Sequence, residues 1–421
     1  MKKHAIIIIF LLLLSIYSVN PIFAEVTWDI QTVDENGGTV FQFMALDSND
    51  NPHIFYLGYA DGDWLSPATI LHASWNGSEW SIENTNLGAI RDVALDSNDK
   101  PHLLLARIRY ASPNSMGWET QEVGDGTVAS LALDSNDNPH IVHNERLSMF
   151  LKYASLTPSG WQTQTIPGSH NSNSRLFLEL DSNDNPHILY GSKILGPEGT
   201  EIPAIKYAYN NGSGWNITTV ISHEGIGETR NLALDSKGYP HFMYVLTSIN
   251  PDYGYYTPKN SSLIYVSWNG SAWNSQTVAT NLNWHIKTNL FALDSQDCPH
   301  VVFYNQTTSI PSGVLTYSTL TGTEWTSQVV DPIDALNVGA IAVDSSGTAH
   351  ISYFGRLHWP TRNHADIKYA TPNEVTPPVD SSPPPTDLFS VAAIVIIFSS
   401  ALVIIAYVWK KKKMSFSEKK T

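Results

Sequence analysis

The chain has 421 residues, of which 39 are acidic and 24 basic, a net charge of −15 at pH 7. So acidic a surface excludes nucleic acid as a partner, because that binding rests on basic side chains neutralising phosphates. Cys298 is the only cysteine, which excludes an internal disulfide and leaves burial and strand pairing to hold an exported domain together.

Residues 1–24 read as a secretory signal peptide. Lys2 and Lys3 precede an unbroken apolar run over residues 5–14, and the segment ends at the small residue Ala24, the charge, core and cleavage pattern of an export signal.

The body, residues 25–373, is repetitive. ALDSNDNPHI at 45–54 returns as ALDSNDKPHL, ALDSNDNPHI, ELDSNDNPHI, ALDSKGYPHF, ALDSQDCPHV and AVDSSGTAHI, giving seven copies. Their first aspartates are Asp47, Asp96, Asp134, Asp181, Asp235, Asp294 and Asp344, and a spacing averaging about 50 residues is that of a four-stranded propeller blade. Each copy runs in the same order: an apolar strand ending in LDS, a turn, a second strand opening with PHIxY, a variable loop, a third strand such as LKYAS at 151–155, and a Trp opening a fourth. Alternating apolar and polar residues broken by Asn, Gly and Ser favour strands. The predicted fold class is all-β, a seven-bladed β-propeller.

The tryptophans predict how the ring closes. Trp80, Trp118, Trp161, Trp215, Trp273 and Trp325 open the fourth strands of six copies, but the seventh ends at DIKYATPN without one. VTWDIQTV, carrying Trp28, precedes the first copy. The N-terminal strand is therefore expected to complete the last blade, leaving no open edge.

Within each copy an aspartate precedes a histidine by six residues: Asp47 and His53, Asp96 and His102, Asp134 and His140, Asp181 and His187, Asp235 and His241, Asp294 and His300, Asp344 and His350. The turn position held by Asp50, Asp99, Asp137, Asp184 and Asp297 is Gly238 in the fifth copy and Gly347 in the seventh, an exchange expected where the backbone takes a positive φ. A three-residue hairpin loop then sets Asp47 against Asn51, Leu46 against Pro52 and Ala45 against His53. On this register the Asp caps the turn and the His fills the gap between blades, so the pairs are structural. A calcium loop is excluded because two copies have Gly at a ligand position and none has the downstream bidentate Glu; no metal or cofactor is implied. An enzyme needs one such constellation, not seven.

Residues 374–387 form a Pro-rich stalk. Residues 388–409 contain no charge and as a helix would span about 33 Å, enough to cross a bilayer. Lys410–Lys413 follow, so 410–421 is expected to be a cytoplasmic tail beneath a single-pass anchor in the cell membrane, with the propeller outside. The exported part then carries 16 basic and 38 acidic residues, a net charge of −22.

Where the copies differ, function can reside. Loops from second to third strands, and from each fourth strand to the next blade, share one face and vary most in length. Trp64, Trp284 and Trp359 fall in them outside the repeat pattern, with Tyr255, His358 and Arg362 nearby in sequence. Such aromatic and basic loop residues on a rigid scaffold suit recognition. Asn76, Asn211 and Asn269 are glycosylation sequons that double as NGS turns.

The LDS-turn-PHIxY pattern, followed by KYA and a Trp, resembles seven-bladed propellers of the sialidase-like and NHL-like superfamilies over residues 25 to 373. The resemblance implies architecture. Sialidases of that kind hold a carboxylate with an arginine triad, and Arg91, Arg175 and Arg230 are expected just before first strands. The chain departs from the sialidase Asp-box S-x-D-x-G-x-T-W, since its Asp precedes SNDNPH and its Trp lies well downstream.

The preferred reading is a membrane-anchored module that binds a glycan or a cell-surface protein through the variable-loop face. The alternatives are a sialidase-like glycoside hydrolase and a structural adhesion protein. Arginines converging on the central channel with paired carboxylates would favour an enzyme, convergence without such a pair a lectin-like site, and dispersal an adhesion surface.

Overall fold

A computed structural model describes residues 27–373 except 36, 59–67, 171–174, 248–260, 283–288, 307–312, 334 and 358–364. Its strands form seven antiparallel four-stranded sheets. In the first blade these are Gly37–Leu46, Pro52–Gly58, Thr69–Trp75 and Trp80–Asn84, paired in chain order. First strands of successive blades touch around a closed ring and so line its axis. Among the described residues the only helical element is a single 3-10 turn, Pro197–Gly199, and no helix is long and apolar enough to cross a membrane. The signal peptide, stalk, span and tail all lie outside the described residues.

The repeated turn has the expected register. Leu46 faces Pro52 and Ala45 faces His53, the Asp47 N–H donates to the Asn51 carbonyl at 2.9 Å, and the Asp50 N–H to the Asp47 carbonyl at 3.0 Å. Asp50 has φ 63°, and Gly238 and Gly347 have φ 75° and 88°. This left-handed backbone explains why only Asp and Gly occupy the position.

The turn aspartate has a second task that spacing did not expose. Asp99 accepts the Ser48 N–H and hydroxyl of the preceding blade, both at 2.7 Å. Ser97 does the same to Asp137, Ser135 to Asp184, Ser236 to Asp297 and Ser345 to Asp50. Where the position is Gly, no carboxylate exists to receive Ser182 or Ser295, so five of the seven junctions carry the link. Asp99→Ala loses both bonds and strains the turn, and is expected to cost about 1–2 kcal/mol. Asp99→Gly loses only the bonds and should cost less, as read from urea midpoints of the two variants.

The ring closes as predicted. Trp28–Asp34 pairs antiparallel with Ala365–Pro372, setting Trp28 against Pro372, Ile30 against Ala370 and Thr32 against Lys368. Asn373 ties the end down, its N–H donating to the Thr27 carbonyl and its side-chain amide to Thr27 Oγ1, both at 2.8 Å.

Blades pack through a repeated aromatic contact. Each fourth-strand Trp stands edge-on against the third-strand Tyr of the preceding blade: Trp28 on Tyr317 at 5.2 Å, Trp80 on Tyr369 at 5.4 Å and Trp161 on Tyr110 at 5.6 Å. Trp215 on Tyr153, Trp273 on Tyr207 and Trp325 on Tyr265 repeat it. Each such pair adds about 0.5–1.5 kcal/mol beyond area burial. The indole N–H of Trp80, Trp161 and Trp325 also reaches Gln31, Gln121 and Gln276 of the blade before, at 3.0, 2.9 and 3.1 Å. Trp118 is the exception: blade 1 has His72 in place of the tyrosine, and Trp118 packs instead on a cluster containing Phe55 and Leu103.

Candidate functional site

The repeated Asp and His residues face inward to the protein itself. Asp47 Oδ1 accepts the N–H groups of Asn49 and Asn51 at 2.8 Å each. Burial pushes its carboxyl up, but those bonds and the Asn51 amide outweigh burial and hold it below the usual carboxylate range. Each histidine turns Nε2 to its aspartate, from 3.2 Å in His350 to 3.8 Å in His53. In six blades Nδ1 meets the third-strand tyrosine hydroxyl, as Tyr317 does His300 and Tyr369 does His350, both at 2.6 Å. Burial lowers His53, His140, His187 and His241 below the ordinary imidazole value, with the neighbouring aspartates opposing. A buried chain of Asp, His and Tyr, repeated around the ring, is scaffold. Among the described residues no three His, Cys, Asp or Glu side chains are placed to hold a metal ion.

The first strands enclose a cavity of about 480 Å³ along the axis. Its lining comes from those strands, from Gln42–Met44, Ile90–Val93, Val128–Leu131, Arg175–Glu179 and Asn337–Ile341 among others. Arg91 and Arg175 stand at the ends of their strands away from the LDS turn, the variable-loop end.

Among the described residues four charged side chains line the cavity: Arg91, Asp92, Arg175 and Glu179. Asp92 is fully engaged, with Oδ1 accepting the Val93 N–H at 3.0 Å and Oδ2 the Ser130 hydroxyl at 2.8 Å and the Leu131 N–H at 2.9 Å. The Leu178 N–H in turn donates to Ser130 Oγ at 3.2 Å, so Asp92 staples the first strands of blades 2, 3 and 4. Glu179 stands where six copies have Ala, directly across from His187. Enclosure by the surrounding blades, and then the nearby Asp92 carboxylate, push it up to about 8. That upward shift favours its protonated, hydrogen-bond-donating form near neutral pH. Gln42 is 6% exposed, and neither atom of its amide has a hydrogen-bond partner.

Of the residues nominated from sequence, Arg91 and Arg175 meet on this cavity. Trp64, Trp284, Trp359, Tyr255, His358 and Arg362 lie outside the described residues. Arg230 falls on the first strand of blade 5, Ile226–Leu234, with its side chain outside them as well. Asp92, Glu179 and Gln42 were missed. A signal existed for Glu179, the single break in the run of alanines before LDS. The loop face also bears exposed apolar tips, Leu147 and Leu195, 94% and 80% exposed.

Two carboxylates do accompany the arginines, the condition that would favour an enzyme. Chemically they are not a working pair. Asp92 has both oxygens committed to backbone and serine donors, so it is not poised as a nucleophile or base.

Comparison with solved structures places this fold among known propellers. The polysaccharide lyase PL25 ulvan lyase, bound to -[GlcA(1-4)Rha3S]-, is similar at 12% identity and a TM-score of 0.55, over 80% of this chain and 94% of that one. Polysaccharide lyase Uly1 is similar at 9% identity and 0.53, over 81% and 92%. A fungal alcohol oxidase in complex with copper gives 10% and 0.53, over 82% and 76%. No family model matches the chain, and no curated protein matches it by sequence. At these identities the likeness is one of fold.

Proposed function

We propose that the propeller is a recognition module for a glycan, held outside the cell by the 388–409 span and binding at the loop-side mouth of its channel. The observation that carries this reading is the convergence of Arg91 and Arg175 on a concave axial cavity whose other charged groups, among the described residues, are a committed Asp92 and Glu179, which burial shifts toward its protonated form. A cavity of this size, with few placed polar groups, suits a small ligand or one unit of a chain. Binding needs donors and acceptors but no free nucleophile, which fits the engagement of Asp92. Polysaccharide-acting enzymes among the similar folds agree with a glycan partner without assigning it.

One observation favours a second reading, a sialidase-like hydrolase: Glu179 holds a proton near neutral pH, as a general acid must. That reading lacks a second free carboxylate or an assigned Tyr nucleophile.

Residues 25–373 presented to immobilised glycans should retain a defined subset, and Arg91→Ala should reduce retention at least tenfold, the scale of one charged hydrogen bond. A fluorogenic sialoside should not be turned over. Turnover abolished by Arg91→Ala would establish the hydrolase instead, and retention of no glycan would defeat both readings.

A further inference from the structure

Charge, cavity and one stranded amide together narrow the ligand. Arg91 and Arg175 bring two positive charges to the cavity, and Asp92 offsets one. Glu179 adds none while protonated. The cavity thus keeps a positive surplus inside a chain whose net charge is −15. Arg91 has no ion-pair or hydrogen-bond partner among the described residues. Among the described lining groups this balance favours an anion.

Gln42 says more. A buried amide without partners forgoes hydrogen bonds that water would have supplied. Its Oε1 lies over Gly339 of blade 7, where even a methyl group would overlap it. An amide offers two N–H donors and a carbonyl acceptor. A bare anion such as sulfate satisfies the donors alone, whereas a hydroxyl can serve both ends.

Resting on the glycan reading above, we infer that the cavity takes an acidic sugar of hexuronate type, its carboxylate between Arg91 and Arg175 and a ring hydroxyl on the Gln42 amide. The four charged lining groups also give binding a pH limit. Above the range where Glu179 loses its proton, its charge joins that of Asp92 and cancels both arginines, so affinity falls as pH rises from 7 to 9.

The test is calorimetric titration of residues 25–373 with D-glucuronate, D-glucose and sodium sulfate at constant ionic strength. Glucuronate is expected to bind at least tenfold tighter than either of the others, each of which lacks half of the recognised chemistry. Arg91→Gln should cost at least tenfold, and Gln42→Met, which keeps the packing over Gly339, several-fold. Glu179→Gln should keep binding constant between pH 7 and 9, a readout that a merely structural role for Glu179 would not produce. Should Gln42→Met fail to fold, the Arg91 and Glu179 variants still decide the matter. Glucuronate binding no tighter than sulfate, or unchanged in Arg91→Gln, overturns the inference. If the protein retains neutral glycans while ignoring glucuronate, glycan recognition stands and this assignment fails; if it binds none, both fail.

Discussion

Deleting residues 27–34 should unfold the propeller. The deletion strips the pairing of Trp28 through Asp34 from the last blade, the Trp28 contact with Tyr317, the buried Val33 and the bond from the Tyr56 hydroxyl to Asp34 at 2.7 Å. Each loss is worth about 1–3 kcal/mol. Their sum rivals the whole net stability of a typical domain, about 5–15 kcal/mol. The cut would also leave Ala365–Pro372 as a bare edge, inviting aggregation. Thermal unfolding followed by circular dichroism should show no native transition in the truncated chain, and a synthetic peptide of residues 26–35 added in trans should restore one. A truncated protein melting like the parent would mean that closure contributes little.

Acid should destabilise the protein well before its carboxylates titrate. His72 sits face to face with Phe55 at 4.2 Å and places Nε2 3.0 Å from His53 Nδ1. Burial, and then the neighbouring His53, lower it from 6.5 to about 3. The folded state holds this proton more weakly than the unfolded chain does, so the neutral ring's contribution is complete above the unfolded value and is lost as pH falls toward the folded one. At pH 5 the loss from His72 alone is about 2 kcal/mol. His53, His140, His143, His187 and His241 are lowered in the same direction and add to it. Urea midpoints should therefore drop between pH 7.5 and pH 5. The double variant Phe55→Val, His72→Tyr gives blade 1 the aliphatic and tyrosine pairing of the third blade's Val142 and Tyr153, and should recover about 2 kcal/mol at pH 5. An acid slope unchanged in that variant would relocate the effect to the other histidines.

Much of the architecture was legible because a seven-fold repeat states its rules seven times. Asp and Gly exchanging at one turn position revealed its positive φ, and the surplus Trp28 revealed how the ring closes. The Ser-to-Asp links between blades were hidden, since four of the five join residues 40 to 61 apart and the fifth, Ser345 to Asp50, residues 295 apart, whose proximity only the stacking of wedges creates. The bond from the Trp80 indole to Gln31 of the blade before was hidden likewise. The site was less legible for the same reason. Arg91 and Arg175 could be nominated from their places before first strands, but the committed state of Asp92 depends on Ser130 and Leu131 of the next blade. The proton on Glu179 depends on enclosure by neighbours that no local spacing reports.

The alternation of Asp and Gly at the turn also divides the molecule mechanically. With no carboxylate at Gly238 or Gly347, the rim opposite the loops has two seams, one between blades 4 and 5 and one between blades 6 and 7. Five wedges form one clasped arc, from blade 7 through blade 4, and blades 5 and 6 form a short one. A pull on the chain beyond Asn373 would reach the long arc first, through the bond from Asn373 to Thr27, so the wedge that holds both ends of the ring is joined by clasps to the four that follow it. Arg91 in blade 2 and Arg175 in blade 4, both on the axial cavity, lie within that same arc, so such a load and the candidate site would share one continuous piece of the ring.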